Sequence, residues 1–371
     1  MKIEFKKEDF VESLQIVNRA IKRGNIYNIL ECVYIDASKN KIILSAQDGK
    51  EITIKKETIG EIKEKGNAAI DGNMLYNILK DMPDDSFLTL EVNDKKECII
   101  KWGNKNNSQK LLAKDEETYP NISNINKENK VILNEYKLHR LLEKTLFSYD
   151  KTGNSGNIVL KGIYFNIEKE NIELKSMDGY IISIAKEKII ENDKKYEKII
   201  PGSALEELYR LLKGEANKDV YIYINDKNVS FEFNDTLFTT IIIPNQYINT
   251  DRIFNIEYST KVKVNKSNFI DCLRRSTNSL TNEEKKPIIL DIKDDGMNIN
   301  LNSLTSDYHE EIEIEKTGKD ILIAFNAKNL LKILNVIDDE KVNLYLSGPK
   351  QPVIIKDKQE TYSYLLTPIK I

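Results

Sequence analysis

The sequence predicts an α+β protein built of three similar domains in series, each with two helices and antiparallel sheets. Two observations carry this. A polar start, apolar residues at helical spacing and then alternating hairpins recur three times along the chain, and fixed-period self-similarity of this kind marks repeated structural units. Helices mixed with hairpins, rather than with parallel crossovers, place each unit in the α+β class. Length agrees. The 371 residues divide into units of about 125 residues, an ordinary domain size and too long for a solenoid repeat.

The first helix of each unit is read in FKKEDFVESLQIVNRAI from Phe5, LNEYKLHRLLEKTLFSY from Leu133 and VNKSNFIDCLRRSTNSL from Val264. The pairs Phe10 and Leu14, Leu138 and Leu142, and Phe269 and Leu273 are four apart and share a helix face. Asp9, Asn134 and Ser267 or Asn268 stand near the starts as N-cap types. Hairpins follow in CVYIDASKNKIILSAQDG, GIYFNIEKENIELKSMDG and PIILDIKDDGMNINLNSL, apolar alternation around polar turns. The second helices are AIDGNMLYNILKDM, IPGSALEELYRLLKG and FNAKNLLKILNVID, amphipathic through Leu75, Ile78 and Leu79, Leu205, Leu208 and Leu212, and Leu330, Ile333 and Leu334. A last hairpin closes each unit. Polar stretches at 121–130 and 249–258 separate the units, giving expected domains 1–125, 126–250 and 251–371.

Composition bounds the chemistry. With 56 Lys+Arg against 59 Asp+Glu and a net charge of -3, the chain is not a uniformly basic nucleic-acid binder, although its charge can still be segregated. No apolar run reaches membrane-span length and MKIEFKKEDF lacks a signal-peptide core, so a soluble, cytoplasmic protein is expected. Cys32, Cys98 and Cys272 are odd in number and scattered, and His139 and His309 are the only histidines. Neither a disulfide framework nor a zinc site fits that pattern. Phosphate-binding loops are absent, KTGNSGN reads as a polar turn, and no Ser has a supported His partner. No catalytic residue, metal or cofactor is expected.

Three such domains resemble the bacterial sliding clamp, the beta subunit of DNA polymerase III. The resemblance runs through NILECVYID, TYPNI (Thr118 to Ile122), the Met177-Asp178-Gly179-Tyr180 turn, FNAKNLLKIL and the terminal YLLTPIKI, in order over essentially the whole chain. It implies a head-to-tail homodimer whose six domains close a ring around duplex DNA, held by topology and by non-specific phosphate contacts. It also implies tethering of the polymerase III alpha subunit, the clamp loader and repair polymerases or ligase-type proteins, through linear peptides in a groove between the second and third domains. An accessory clamp, or a scaffold that binds partner peptides without encircling DNA, is the alternative.

Site expectations follow from the resemblance. The helices place Arg19, Lys22, Arg23, Lys137, Arg140, Lys144, Arg210, Lys213, Arg274, Arg275, Lys328 and Lys332 toward DNA, while acidic residues gather in DDSFLTLE, KDEETYP and YHEEIEIE. The partner groove maps onto Leu160, Met177, Gly179, Tyr180, Ile182, Arg252, Ile253, Asn326, Thr367, Pro368, Ile369 and Lys370, with Lys350 and Pro352 at its rim. Ile181 stands where the family usually has an arginine, Ile248 where it has a proline, and Asn329 where it often has an aromatic. The expected consequence is an apolar groove without its charged lip. Leu111, on the QKLLAK edge strand, and Leu280 are the expected dimer contacts.

Overall fold

Phe10, Leu14, Leu138, Leu142, Phe269 and Leu273 are all fully buried, so the four-residue spacing does what the sequence predicts. Each such side chain withdrawn from water contributes roughly 1.5–3 kcal/mol. A computed structural model describes the chain except residues 85, 104–105, 123–124, 193, 255, 279–285, 295, 304–305 and 371. Its helices are α1 (Lys7–Val17), α2 (Gly72–Lys80), α3 (Glu135–Thr145), α4 (Gly202–Leu211), α5 (Asp251–Phe254), α6 (Lys266–Thr277) and α7 (Ala327–Asn335).

The caps differ in detail from the sequence reading. The Asn265 side chain caps α6 by accepting from the Asn268 N–H at 3.0 Å, two or three residues before the expected caps. The Asn134 amide nitrogen donates to the Ala216 and Lys218 carbonyls, tying the start of α3 to that segment. Helix α1 has no side-chain cap; Glu8 and Asp9 sit in its first turn instead, where carboxylates complement the helix dipole. Asp71 and Asn326 cap α2 and α7.

Three sequence repeats fold into two compact units. One comprises Met1–Glu135, Ile190–Asp193 and Glu206–Ile242; the other comprises Tyr136–Ile189, Lys194–Leu205 and Ile243–Ile371. The reason lies in the sheets, all antiparallel, which join half of one repeat to half of the next. In the first unit an eight-stranded sheet runs Lys130–Asn134, Asp219–Ile224, Asn228–Phe233, Thr236–Ile241, Ile52–Thr58, Ile42–Gln47, Cys32–Asp36, Asn67–Asp71. Its join places Thr239 opposite Thr53. A five-stranded sheet beside it ends on the edge strand Asn107–Leu112.

The second unit repeats the device. Its nine-stranded sheet runs Tyr196–Pro201, Gly162–Ile167, Asn171–Met177, Ile181–Lys188, Tyr362–Leu366, Val353–Lys356, Lys341–Leu346, Thr260–Asn265, Ile314–Gly318. Ile182 pairs with Leu365 at the join. A four-stranded sheet completes the unit, and α6 packs on α7 over a core that includes Ile181, Phe269, Leu330, Leu344 and Leu366. Helices α1 and α2 pack together in the first unit, where the Phe5 and Phe10 rings stack at 3.9 Å.

Candidate functional sites

The outer face of the nine-stranded sheet carries an apolar row set by register. Residues directly opposite across antiparallel strands share a face. Met177 pairs with Ile182, Ile182 with Leu365, Leu365 with Ile354, and Ile354 with Tyr345. Ile182 is half-buried and Met177, Leu365 and Ile354 are nearly covered. The Asp178 carboxylate shapes the adjoining turn by accepting from the N–H groups of Tyr180 and Ile181 at 2.9 and 2.8 Å. Gly179 takes the positive φ of 92° that this turn requires. Tyr180 is left 64% exposed, and its carbonyl accepts from the Thr367 N–H at 3.0 Å. Register and turn thus bring Met177, Tyr180, Ile182 and Thr367 together.

The other expected groove residues belong to the same compact unit. Leu160 is buried, and its carbonyl accepts from the Asp150 N–H at 2.8 Å. Arg252 and Ile253 are on α5, with Ile253 37% exposed. Lys350 and Pro352 flank the turn before Val353, and Pro368, Ile369 and Lys370 follow Thr367, with the Ile369 N–H on the Ala324 carbonyl at 2.8 Å. The Asn326 side chain is committed to the start of α7, accepting from the N–H groups of Lys328 and Asn329. Its position is therefore explained by capping.

The expected loss of a charged lip at Ile181 needs correcting. Ile181 is fully buried in the third-repeat core beside Phe269 and Leu366. Strand alternation turns it away from Ile182, so its side chain is not on the groove rim. Leu365 and Ile354 were missed. Their signal is the continuous apolar run in YSYLL and VIIK, but only register shows which face each residue takes.

The first unit carries the same layout with different chemistry. Asp48 and Gly49 repeat the Asp-Gly turn, Gly49 at φ 73°. Burial alone would raise the Asp48 carboxyl. Bonds from the Ile52 N–H, the Lys22 ammonium and the N–H groups of Lys50 and Glu51 outweigh this and hold it below the ordinary carboxylate range. The equivalent outer row is Gln47, Thr53, Thr239 and Ser230, with Ser230 and Thr239 hydroxyls 2.9 Å apart. A hollow of about 270 Å3 lies here, lined by Gln47, Thr53 and Thr239 of this row and also by Ile52, Leu237 and Ile241. Among the described residues, the paired row at this join is polar in the first unit and apolar in the second.

The basic residues fall into three groups. Helix α1 stops at Val17, so Arg19 lies in a following turn and Lys22 and Arg23 lie beyond it; Lys213 likewise follows α4. Several are paired: Arg19 with Glu207 at 3.3 Å, Lys22 with Asp48 at 2.7 Å, Lys213 with Glu12 at 3.4 Å, Arg140 with Asp338 at 2.9 Å, Arg275 with Glu310 at 3.0 Å, and Arg210 with Glu206 and Glu207. Lys137 donates to the Lys188 carbonyl. Arg23, Arg274, Lys328 and Lys332 are exposed and have no ion pair among the described residues. Acidic and basic side chains are thus less segregated than the strings suggest.

Lys144 departs from the expected role. It is 3% exposed, bonded to the Val336 carbonyl and to Asp338 at 2.9 Å, and lies over the Tyr362 ring. A buried ammonium so fully paired is a packing element, not an open phosphate ligand. Leu111 is also nearly covered, whereas its neighbour Leu112 is 75% exposed on the edge strand; alternation puts the available apolar side chain one position later. Leu280 lies outside the described residues.

The described residues hold no group of three or more His, Cys, Asp and Glu able to bind a metal. Burial pushes the Cys32 and Cys272 thiols up to about 11 and Cys98 to about 12, far from a thiolate at neutral pH. His309 Nδ1 lies 2.6 Å from the Asn300 Oδ1 on the exposed strand Asp307–Ile312. The KTGNSGN turn folds around Asp150, whose carboxylate accepts from Ser155, Thr152 and Gly153. The Ser155 bonds foremost pull that carboxyl down to about 2. No described helix is long and apolar enough to cross a membrane.

Helix pairs repeated three times, sheets shared between successive repeats and an apolar outer row at one join define a three-domain clamp. Models of the DNA polymerase III beta subunit match in order, the N-terminal domain over residues 1–123, the central domain over 132–249 and the C-terminal domain over 251–370. The chain belongs to the DNA polymerase III beta subunit family, the bacterial beta sliding clamps, whose members are non-catalytic processivity factors. A putative beta subunit from Eubacterium rectale is 33% identical, with a TM-score of 0.95 and full coverage of both chains. The Bacillus subtilis sliding clamp is 23% identical with a TM-score of 0.94, covering 100% of this chain and 99% of that one. The beta sliding clamp of Staphylococcus epidermidis is 24% identical over 382 residues, 100% of this chain and 99% of its own.

Proposed function

We propose that this chain is a DNA sliding clamp that encircles duplex DNA and tethers the replicative polymerase for processive synthesis. The observation that carries this is the match of all three family domains, in order, over nearly the whole chain. A ring held by topology needs only weak phosphate contacts, and the exposed Arg23, Arg274, Lys328 and Lys332 supply cations for them. Arg19, Lys22, Lys137, Arg140, Arg210, Lys213 and Arg275 are available only by exchanging a present partner for phosphate. Closure takes two copies joined head to tail, with the exposed Leu112 edge as the contact. The protein works in the cytoplasm.

Partners dock on the apolar row of the second unit. Half-buried Ile182 and exposed Tyr180, backed by Met177, Leu365 and Ile354 in the same row, receive the apolar side chains of linear peptides from the polymerase alpha subunit, the clamp loader and repair proteins. Tethering raises the effective concentration of polymerase at the primer end. The test is primer extension on a long template, using polymerase and loader from the same cell. Adding this chain should convert short products to long ones; unchanged product length would refute the reading.

A further inference from the structure

The groove does not end at its apolar row. Two residues along each strand, the same sheet face carries Lys175, Ile184, Ser363 and Lys356 in register, and beyond them Glu173 opposite Lys186. A hollow of about 200 Å3 lies over these rows, lined by Ile184 and sharing Ile354 with the apolar floor. Phe254 and Tyr258 close one side, and the Tyr258 ring lies 5.1 Å from Tyr345.

The charge here is unbalanced. Lys175 and Lys186 both reach Glu173, each at 3.0 Å. Lys356 pairs with the exposed Glu360 at 2.6 Å. Lys261 has no carboxylate partner among the described residues. Lys261 and Lys356 both lie over the Tyr345 ring, at 5.4 and 5.5 Å. Lys186, Lys261 and Lys356 thus face Glu173 and Glu360 beside an apolar floor. An incoming carboxylate meets ammonium groups already desolvated on one side by an aromatic ring, where the pairing is stronger than at a fully hydrated surface.

We propose that this basic annex selects partner peptides carrying an acidic side chain two to four residues from their apolar anchor. The spacing follows from the sheet: rows on one face are about 6.6 Å apart, the length of two extended residues. The proposal rests on the groove being the partner site, and it adds the charge that such a partner must bring. In the first unit the equivalent row, Gln47–Thr53–Thr239–Ser230, is polar.

Fluorescence anisotropy on the whole protein tests it. The probes are nine-residue labelled peptides with a central Leu-Leu pair, flanked on one side or the other by two Asp, two Ala or two Lys. In one of the two flank positions the Asp peptide should bind about three- to tenfold more tightly than the Ala peptide, and the Lys peptide more weakly. Lys261→Glu and Lys356→Glu together should abolish the Asp advantage and leave the Ala peptide unchanged; Lys261→Glu alone, at an exposed position, should halve it or more. Equal affinities for Asp and Ala peptides that both bind would overturn the annex while leaving the groove intact. No binding by any peptide would overturn the groove reading itself.

Discussion

Replacing Ile182 by alanine isolates the groove floor from the rest of the fold. Ile182 lies between Met177 and Leu365 on the outer face and is half-buried in the free protein. The change removes three carbon groups, together worth ~2.4 kcal/mol when fully buried at ~0.8 kcal/mol each. About half of that burial exists before a partner arrives. The remaining ~1.2 kcal/mol falls on binding, so affinity for the dileucine peptide should drop about eightfold, with a similar loss of folding stability. Thr53→Ala, at the equivalent place in the first unit, is the matched control and should leave peptide affinity unchanged. Anisotropy titrations of the three proteins measure this. Unweakened binding to Ile182→Ala, or equal weakening by Thr53→Ala, would refute the assignment of the apolar row.

Other consequences concern charge, packing and assembly. Because the Asp150 carboxyl is held near 2 in the folded chain, its stabilisation is complete above the ordinary value near 4 and disappears as pH falls through 2. The difference in melting temperature between wild type and Asp150→Ala should therefore be constant from pH 7 to pH 5 and shrink between pH 4 and pH 2; a difference that stays constant down to pH 2 would contradict this. Lys144→Met should cost roughly 2–4 kcal/mol in denaturant unfolding, because it leaves the Val336 carbonyl without its donor, and duplex affinity should not change. Arg23→Glu with Arg274→Glu should reduce the slope of log affinity against log salt for duplex binding by about one per lost phosphate contact, whereas an unaltered slope would remove both from the DNA-facing set. Leu112→Asp should shift sedimentation toward monomer, while Leu111→Ala should lower the melting temperature at an unchanged assembly state.

Much of the fold was legible because helical and strand periods are written in single residues. Phe10 with Leu14 and Phe269 with Leu273 announced their buried faces through spacing alone. The groove was legible only in part. Its Asp-Gly turn and Ile182 came through the family resemblance, but Leu365 and Ile354 reach the floor through long-range register, which no local pattern contains. Ile181 and Leu111 show the same limit from the other side: in a strand, a shift of one residue exchanges core for surface. Lys144 was misjudged because a lysine late in a helix looks alike whether it meets water or the Val336 carbonyl. The two compact units were hidden too, since sequence repeats mark domains while shared sheets decide what packs together.

The claim that this chain is a topological clamp is tested most directly by its retention on DNA of two shapes. After loading onto a nicked circular duplex, the protein should remain bound through a high-salt wash and be released when one cut linearises the circle. Retention that is equal on circular and linear duplex, or lost from both at the same salt, would show a surface binder and contradict the account.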